Sequence, residues 1–224
     1  LFLGTLNGLK TYDKTTGNVV NVRIIQHGHQ PKLIWSMVYN QGLLWTGCED
    51  GLAAYAPGPG NSLRQVNTGR ISTRLAYSHI NALYNGRDGS LWACTQEGLF
   101  NIDTKRRSIR HRLTTHDGLP SDIVYGILED RKGTFWISTD YGLCAYTPSQ
   151  TAADEKSNPA EGGKIHVYGK SDGIRNVQFM AGAAYAASDG QILFGGTNGV
   201  TAFYPDRFVT NRYAPRPIIT GLTV

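Results

Sequence analysis

The sequence is poor in cysteine and in charged residues, and it lacks any long apolar run. It has 224 residues but only three cysteines, and charged residues make up 17% of it. Three cysteines are too few for a disulfide framework, so we expect Cys48, Cys94 and Cys144 to be free, buried thiols. No stretch approaches the roughly 20 consecutive apolar residues of a membrane-spanning helix, and no signal-peptide pattern opens the sequence.

Helical periodicity and a basic surface are also missing. No useful window shows the apolar spacing of an amphipathic helix. The net charge is +5, but the basic residues are scattered, and the densest group is only Lys105–Arg107 with Arg110 and Arg112 beyond it. Nucleic-acid binding usually needs a basic stripe or face. We therefore expect no direct nucleic-acid contact and interpret this group as a solvated strand edge.

What the sequence has in abundance is glycine, and glycines mark an internal repeat. It contains 27 glycines, and five segments align on one of them about every 45 residues, with a longer last interval. A large apolar residue stands six positions before each anchor glycine and another four positions after it. The anchor glycines are Gly8, Gly51, Gly98, Gly142 and Gly199. Asn-Gly and Asp-Gly at three of these anchors are strong hairpin signals.

Each repeat predicts four short antiparallel strands, which is typical of a β-propeller blade. Two strands flank the anchor turn, one precedes them, and a more polar fourth strand follows, such as Val19–Ile25. Trp45, Trp92 and Trp136 occupy one register of the repeat. Since a blade buries its faces only against neighbouring blades, we expect these three indoles to be wedges in the core. Trp35 is the one tryptophan outside that register.

The fold class predicted from these observations is all-β, a β-propeller fragment of about four to five four-stranded blades in an incomplete ring. Residues 151–163, rich in small and polar residues, read as a surface loop that lengthens one repeat. The remaining blades of the ring are expected from the same parent chain. The predicted boundaries are a partial blade at 1–26, blades at about 27–68, 69–114, 115–169 and 170–214, and a lead-in or closing strand at 215–224.

The repeat resembles the two-component regulator propeller family. Trp136–Thr139 followed by Gly142-Leu143 is similar to the family's Leu-Trp-Ile-Gly-Thr and Gly-Leu pattern, and His116–Asp122 with Val124–Asp130 is similar to its linking loop and inner strand. The stretch from Gly182 to Asp206 resembles the family's final blade. The sequence departs from the pattern at Cys94, at Ala53-Ala54 and at Leu193, which are structural registers.

The resemblance implies a function and a location. Such propellers are periplasmic sensor regions of Bacteroides-type hybrid two-component histidine kinases, so this segment would come from the C-terminal end of the sensor, before an immunoglobulin-like domain. It implies a non-catalytic segment of an inner-membrane protein that senses an oligosaccharide or another small ligand and signals to carbohydrate-utilisation genes. A homodimer of the full-length protein is expected, and the kinase domain would lie outside this segment.

Candidate ligand residues follow from the propeller interpretation. Loops that join the outermost strand of one blade to the innermost strand of the next share one face around the axis, where a sugar would need polar partners and an aromatic ring. The residues that these loops offer are Trp35, Tyr39, Tyr77, His79, Asn81, Asp122, Tyr125, Arg175, Asn176 and Phe179. The alternative is that these loops only position the next strand.

Two other functions stay open at this point. Arg87–Trp92 resembles the Asp-box turn of sialidases, so a sialidase- or lyase-like propeller enzyme is one alternative, and a protein-interaction scaffold is the other. Glycoside cleavage needs two facing carboxylates, whereas the acidic residues here fall mostly in turns, so no catalytic residue is predicted. His27 and His29 lack further partners for a metal ion, and neither a metal nor a cofactor is predicted.

Overall fold

The described residues fold into five sheets that are built almost entirely from antiparallel strands. The structure, a computed structural model, describes residues 1–25, 33–149, 163–175 and 178–208. The first sheet contains β1 (Phe2–Thr5), β2 (Gly8–Tyr12) and β3 (Val19–Asn21), and the second contains β4 (Arg23–Ile25), β5 (Ile34–Asn40), β6 (Leu43–Cys48), β7 (Gly51–Pro57) and β8 (Ser62–Gln65). The third contains β9 (Ile80–Asn85), β10 (Leu91–Thr95), β11 (Gly98–Asp103) and β12 (Ser108–Leu113). The fourth contains β13 (Val124–Glu129), β14 (Phe135–Thr139), β15 (Gly142–Thr147) and β16 (Lys164–Tyr168), and the fifth contains β17 (Phe179–Ala186), β18 (Ile192–Gly196) and β19 (Gly199–Phe203).

Helices are short and lie in connections. The helix α1 (Arg70–Arg74) precedes β9, and 3-10 turns span Thr115–Asp117, Lys170–Asp172 and Pro205–Arg207. The all-β propeller fragment with an incomplete ring is confirmed, because the described sheets follow one another without closing. The predicted strand at 215–224 and the predicted loop, apart from Gly163, lie outside the described residues.

The anchor glycines make the tight turns that the repeat predicts. Gly8, Gly51, Gly98, Gly142 and Gly199 all have positive φ, between 95° and 120°, a conformation that residues with a Cβ rarely adopt. In three of these turns a threonine hydroxyl donates to the carbonyl of the anchor glycine, at 2.8 Å from Thr5 and Thr95 and at 2.9 Å from Thr139. The turn is thus specified by the threonine and the glycine together.

The core lies between the sheets rather than within any one of them. Each of the four hydrophobic clusters draws side chains from two neighbouring sheets. Trp45, Trp92 and Trp136 are at most 3% exposed and belong to three different clusters, which confirms that they are wedges between blades. Trp136 also donates its indole N–H to the Asp130 carboxylate at 3.0 Å. Sequential packing of this kind is characteristic of repeat architectures.

Hydrogen bonds between inner strands fix the order of the blades around the axis. The Ser36 hydroxyl on β5 accepts the backbone N–H of Leu83 on β9 at 2.9 Å. The Asn81 side chain on β9 donates to the carbonyl of Val124 on β13 at 2.8 Å. The strands β5, β9 and β13 therefore stand side by side, and the residues that enter them share one end of the assembly.

The structure divides the predicted strand Val19–Ile25 between two sheets. Its first half, β3, pairs with β2, whereas its second half, β4, runs parallel to β8 of the second sheet. The division falls at Val22, which is only 7% exposed and whose N–H donates to the Leu9 carbonyl at 3.0 Å. Burial of the Val22 and Ile24 side chains against the second sheet compensates for the strand pairing that this segment loses with the first sheet. The local sequence pattern does not reveal this contact.

The structure places all three cysteines in the interior. Cys48, Cys94 and Cys144 are free and buried, as predicted, and burial raises the pKa of Cys48 to about 11.

In the basic group, Arg110 bridges Asp88 at 3.0 Å and Asp103 at 3.3 Å. The arginine therefore ties two turns of one sheet together.

His111 is a partly buried titratable side chain beside the Trp92 wedge. It lies on β12, and its ring meets the edge of Trp92 at 5.5 Å between centroids. Both ring nitrogens are shielded from solvent without a hydrogen-bond partner in the described chain. Burial, with a smaller contribution from Arg110, lowers the pKa of His111 to about 4.

Because of this histidine, we expect the protein to become less stable as the pH is lowered. The unfolded chain binds the proton with the ordinary pKa of 6.5 and the folded chain only near 4, so the free energy of unfolding decreases below about pH 6.5 and the loss is complete near pH 4. The contribution amounts to up to roughly 3 kcal/mol. The free energy of unfolding, measured by urea denaturation from pH 7 to pH 4, should decrease less for His111→Gln than for the unchanged protein. His116→Gln, at an exposed position, is the control and should leave the profile unchanged; equal slopes for all three proteins would contradict the assignment.

Candidate functional site

The loops that enter the inner strands and the anchor turns meet at one end of the sheets, called here the upper end. Val124 at the start of β13 pairs with Thr139 beside an anchor turn, and Phe179 at the start of β17 pairs with Gly196 beside another. Consecutive antiparallel strands place alternate turns at the same end. The first residues of β5, β9, β13 and β17 therefore surround the axis at the upper end, where the sequence places its candidate ligand residues.

A half-exposed tryptophan stacked on a histidine is the most prominent feature of the upper end. Trp35 of β5 is 51% exposed, although the other three tryptophans are at most 3% exposed. Its ring stacks on His79, which immediately precedes β9, with centroids 6.1 Å apart and planes 26° apart. The pair joins the second and third sheets. An indole held in place by a second ring and still open to solvent offers a flat apolar surface for a ligand.

Two further tyrosines are open to solvent at the same end. Tyr77, in the loop between α1 and β9, is 93% exposed, and Tyr141, in the anchor turn of the fourth sheet, is 74% exposed. Tyr141 is absent from the residues that the sequence nominates. The sequence does contain a signal for it. Tyr141 directly precedes its anchor glycine, whereas the other repeats have a polar residue at that position, namely Asn7, Asp50, Glu97 and Asn198.

Tyr125 connects the inner strand of the fourth sheet to the same anchor turn. Its hydroxyl donates to the Asp140 carboxylate at 3.3 Å. Partial burial, reinforced by the negative charge of Asp140, raises the pKa of Tyr125 above its ordinary value. The tyrosine therefore stays protonated and holds Asp140 beside the exposed ring of Tyr141.

Two of the predicted ligand residues use their polar side chains in hydrogen bonds within the protein. Asn81 is 4% exposed, and its amide N–H is already donated to Val124. Asp122 accepts the backbone N–H of Thr115 at 2.7 Å, which braces the loop before β13. The prediction that they contact a ligand stays a prediction, but in this structure both side chains shape the upper end.

The other candidates are dispersed. Phe179 is 2% exposed and packs edge-on against Phe194 at 6.0 Å, so its ring belongs to the core between the fourth and fifth sheets. Tyr39 is 60% exposed but lies at the lower end of β5, beside a cleft of about 130 Å³ that Phe2 and Tyr55 also line. Arg175 is exposed in the loop before β17, and Asn176 lies outside the described residues.

Acidic side chains of the turns are occupied by their own turns. Asp88 accepts the N–H and hydroxyl of Ser90 at 2.9 and 2.6 Å, and Asp130 accepts the N–H groups of Lys132 and Thr134 at 2.9 and 3.0 Å. This is the turn chemistry of aspartate and not a pair of facing carboxylates. Across the described ranges, no group of three or more His, Cys, Asp or Glu side chains could hold a metal ion, and His27 and His29 lie outside those ranges.

Residues 118–141 match the family described as two component regulator propeller. The matched segment runs from the loop before β13 to the anchor turn with Asp140 and Tyr141 and includes motifs that carry the resemblance in the fourth sheet, but not the stretch from Gly182 to Asp206. The match is to one repeat of the chain. Part of the upper end of this propeller segment therefore lies within the matched residues.

Relatives of the propeller segment are much longer proteins. It is 26% identical over 109 residues to histidine kinase P4 of Formosa agariphila, which is 49% of this chain and 7% of that protein. The extracellular domain of the two component system BT3049 of B. thetaiotaomicron matches 92% of this chain with a TM-score of 0.72 and 24% identity, and the chain covers 26% of it. The extracellular domain of BT4673 from the same organism matches 91% of this chain with a TM-score of 0.52 and 22% identity, and the chain covers 25% of it.

Fold likeness also extends to proteins of other kinds. The designed protein Ika8 matches 91% of this chain with a TM-score of 0.55 and 13% identity, and the chain covers 54% of it. Such low identities establish the propeller architecture alone.

Among the residues that the structure describes, no helix combines the length and the apolar character needed to span a membrane.

Proposed function

We propose that this propeller segment is a ligand-sensing part of the extracellular region of a membrane-bound two-component sensor, and that its ligand is an oligosaccharide. The family match over residues 118–141 and the likeness to the extracellular domain of one two component system support the sensing role. A location in the periplasm, a hybrid kinase and response regulator as the parent protein, and a homodimer of that parent belong to the same proposal. The segment itself is proposed to be non-catalytic.

The observation that carries the ligand class is the half-exposed ring of Trp35, which stacks on the partly buried His79. Burying a tryptophan is strongly favourable, so an indole that is half exposed while stacked on a second ring calls for an explanation. The flat apolar faces of a pyranose ring suit such a surface, and the carboxylate of Asp140 and the hydroxyls of Tyr77 and Tyr141 offer hydrogen bonds at the same end. The proposed site is the upper end around Trp35.

Signalling requires that the ligand distinguish two arrangements of the sensor. Only a difference in affinity between two states shifts their populations. Within the segment the sheets are joined by continuous hydrophobic cores and by hydrogen bonds between inner strands, which makes each blade interface stiff. The proposed response is therefore a movement of this segment against other domains of the parent protein rather than a rearrangement inside a blade.

Replacing Trp35 is expected to weaken glycan binding without unfolding the protein. A screen of glycan fragments by thermal shift comes first, because a ligand at 100 times its dissociation constant stabilises by about 2.7 kcal/mol. Isothermal titration with the best fragment should then show about a tenfold loss of affinity for Trp35→Ala, since an aromatic contact is worth up to roughly 1.5 kcal/mol.

The matched control is Tyr39→Ala, which removes an equally exposed ring from the lower end of the same strand. It should leave the affinity unchanged. A loss with Tyr39→Ala but not with Trp35→Ala would move the site to the lower end, and no response to any glycan would contradict the ligand class. Turnover of the bound sugar would favour the enzyme, and a co-purifying protein without any glycan response would favour the scaffold.

A further inference from the structure

A continuous path of contacts connects the Trp35 ring to the inner strand of the fourth sheet. Trp35 stacks on His79 at 6.1 Å between ring centroids. Two residues farther along the chain, Asn81 donates its side-chain N–H to the carbonyl of Val124 on β13 at 2.8 Å. Asn81 and Val124 are both buried, so this bond is shielded from water. The second, third and fourth sheets therefore hold the upper end around Trp35 in one arrangement.

The path ends at Asp140, in the anchor turn of the fourth sheet. Its half-buried carboxylate accepts the hydroxyl of Tyr125, the residue after Val124, at 3.3 Å. A carboxylate can accept about four hydrogen bonds, and Tyr125 is the only side chain or backbone group of the described residues that donates to this one. Asp130, by contrast, already accepts three N–H groups. Asp140 is thus held in place and still has acceptor capacity for a ligand.

The third sheet separates the Trp35 ring from the Asp140 carboxylate. Trp35 belongs to the second sheet and reaches the third, whereas Asp140 belongs to the fourth. Packed sheets stand about 10 Å apart, so the ring and the carboxylate are separated by roughly one sheet spacing. A single pyranose ring on Trp35 does not reach the carboxylate, whereas a chain of sugars across the third sheet reaches both. Tyr141, which follows Asp140 and is 74% exposed, adds a second aromatic ring at the far end.

We propose that the ligand is an oligosaccharide that lies across the third sheet, with one sugar stacked on Trp35 and a further sugar whose hydroxyls donate to Asp140. This ligand class rests on the proposed function and adds to it the length of the ligand and the chemistry of one of its units. An ionised carboxylate only accepts hydrogen bonds, and its charge repels other anions. The sugar at Asp140 therefore carries free hydroxyls and no carboxylate or sulfate group.

Titration calorimetry with sugars of increasing length tests this arrangement. The probes are neutral gluco-, galacto-, manno- and xylo-oligosaccharides of one to about six units, and oligogalacturonates of the same lengths. In the neutral series that binds, the affinity should rise at least about tenfold once the chain is long enough to reach Asp140. Asp140→Ala should abolish that gain and leave the affinity for the shortest binding member unchanged, whereas Trp35→Ala should weaken binding at every length.

The matched control is Asp189→Ala. Asp189 also accepts a tyrosine hydroxyl, from Tyr204 at 2.9 Å, but it lies in the turn between β17 and β18 at the lower end. Its loss should leave the affinity unchanged at every length. Circular dichroism must show that each variant is folded. If Asp140→Ala unfolds, Asp140→Asn takes its place with the same expectation, because the amide replaces one acceptor oxygen by a donor.

The outcomes distinguish this inference from the proposed function. If no sugar of any length binds, the proposed function fails and the inference fails with it. If a sugar binds through Trp35 but longer chains bind no more tightly, or if Asp140→Ala leaves the gain intact, the ligand does not span the third sheet and only the inference fails. Tighter binding of an oligogalacturonate than of any neutral chain would likewise overturn the neutral unit at Asp140.

Discussion

Replacing Trp136 with alanine is expected to lower the free energy of unfolding by about 3–5 kcal/mol. The indole is 3% exposed and packs against Phe203 at 4.6 Å and Tyr168 at 5.3 Å between ring centroids. Its loss leaves a cavity between the fourth and fifth sheets and removes one of the three hydrogen-bond donors to the Asp130 carboxylate. Urea denaturation followed by far-ultraviolet circular dichroism measures the effect.

The matched control is Trp35→Ala, which removes the same side chain from the upper end. Since Trp35 is 51% exposed, its loss should change the free energy of unfolding by less than about 1 kcal/mol. The contrast separates the tryptophan of the repeat from the tryptophan outside it. Similar losses for both variants would contradict the wedge role of Trp136.

The second large effect is expected from Gly51→Ala, which should destabilise the protein by about 3 kcal/mol or more. Gly51 has φ of +119°, which lies outside the left-handed region that residues with a Cβ occasionally visit. An added Cβ would also collide with the backbone carbonyl oxygen of Leu75, and backbone atoms yield less readily than the end of a side chain. Backbone strain and steric overlap each cost about 1–3 kcal/mol.

Gly17→Ala is the control for this prediction. Gly17 also has positive φ, at +73°, but nothing lies within 4 Å of the position that a Cβ would take. Its substitution should cost only the left-handed backbone conformation, about 1 kcal/mol. Chemical denaturation of both variants under the same conditions makes the comparison. If Gly51→Ala proves no less stable than Gly17→Ala, the anchor turn tolerates a side chain and our account of the repeat is wrong.

Most strands of the fold can be predicted from the sequence because the repeat presents the same local signals five times. An anchor glycine, a large side chain six positions earlier and another four positions later place β14 and β15 to within a residue. The strand β4 could not be predicted in this way. Its pairing with β8 depends on burial of Val22 and Ile24 in the next sheet, and such a contact between distant segments leaves no local pattern.

The candidate site was predictable only in part. The position of Trp35 outside the register marks it as unusual, and the structure places it with His79 on an open surface. The same reasoning nominated Phe179, whose ring lies in the core, and Tyr39, which lies at the other end of its strand. Residue type and loop position say which side chains are near one end of a blade, but not which way each side chain points.

The sequence by itself determined the blades, their turns and the wedges between them. Spacing, glycine and aromatic residues act locally or between adjacent repeats, so the linear order of residues carries them. Only the tertiary structure decided which aromatic rings stay open to solvent and which polar side chains are already bonded. Those properties depend on how separate repeats stack around an axis, because a side chain becomes buried or free only when the neighbouring sheet is in place.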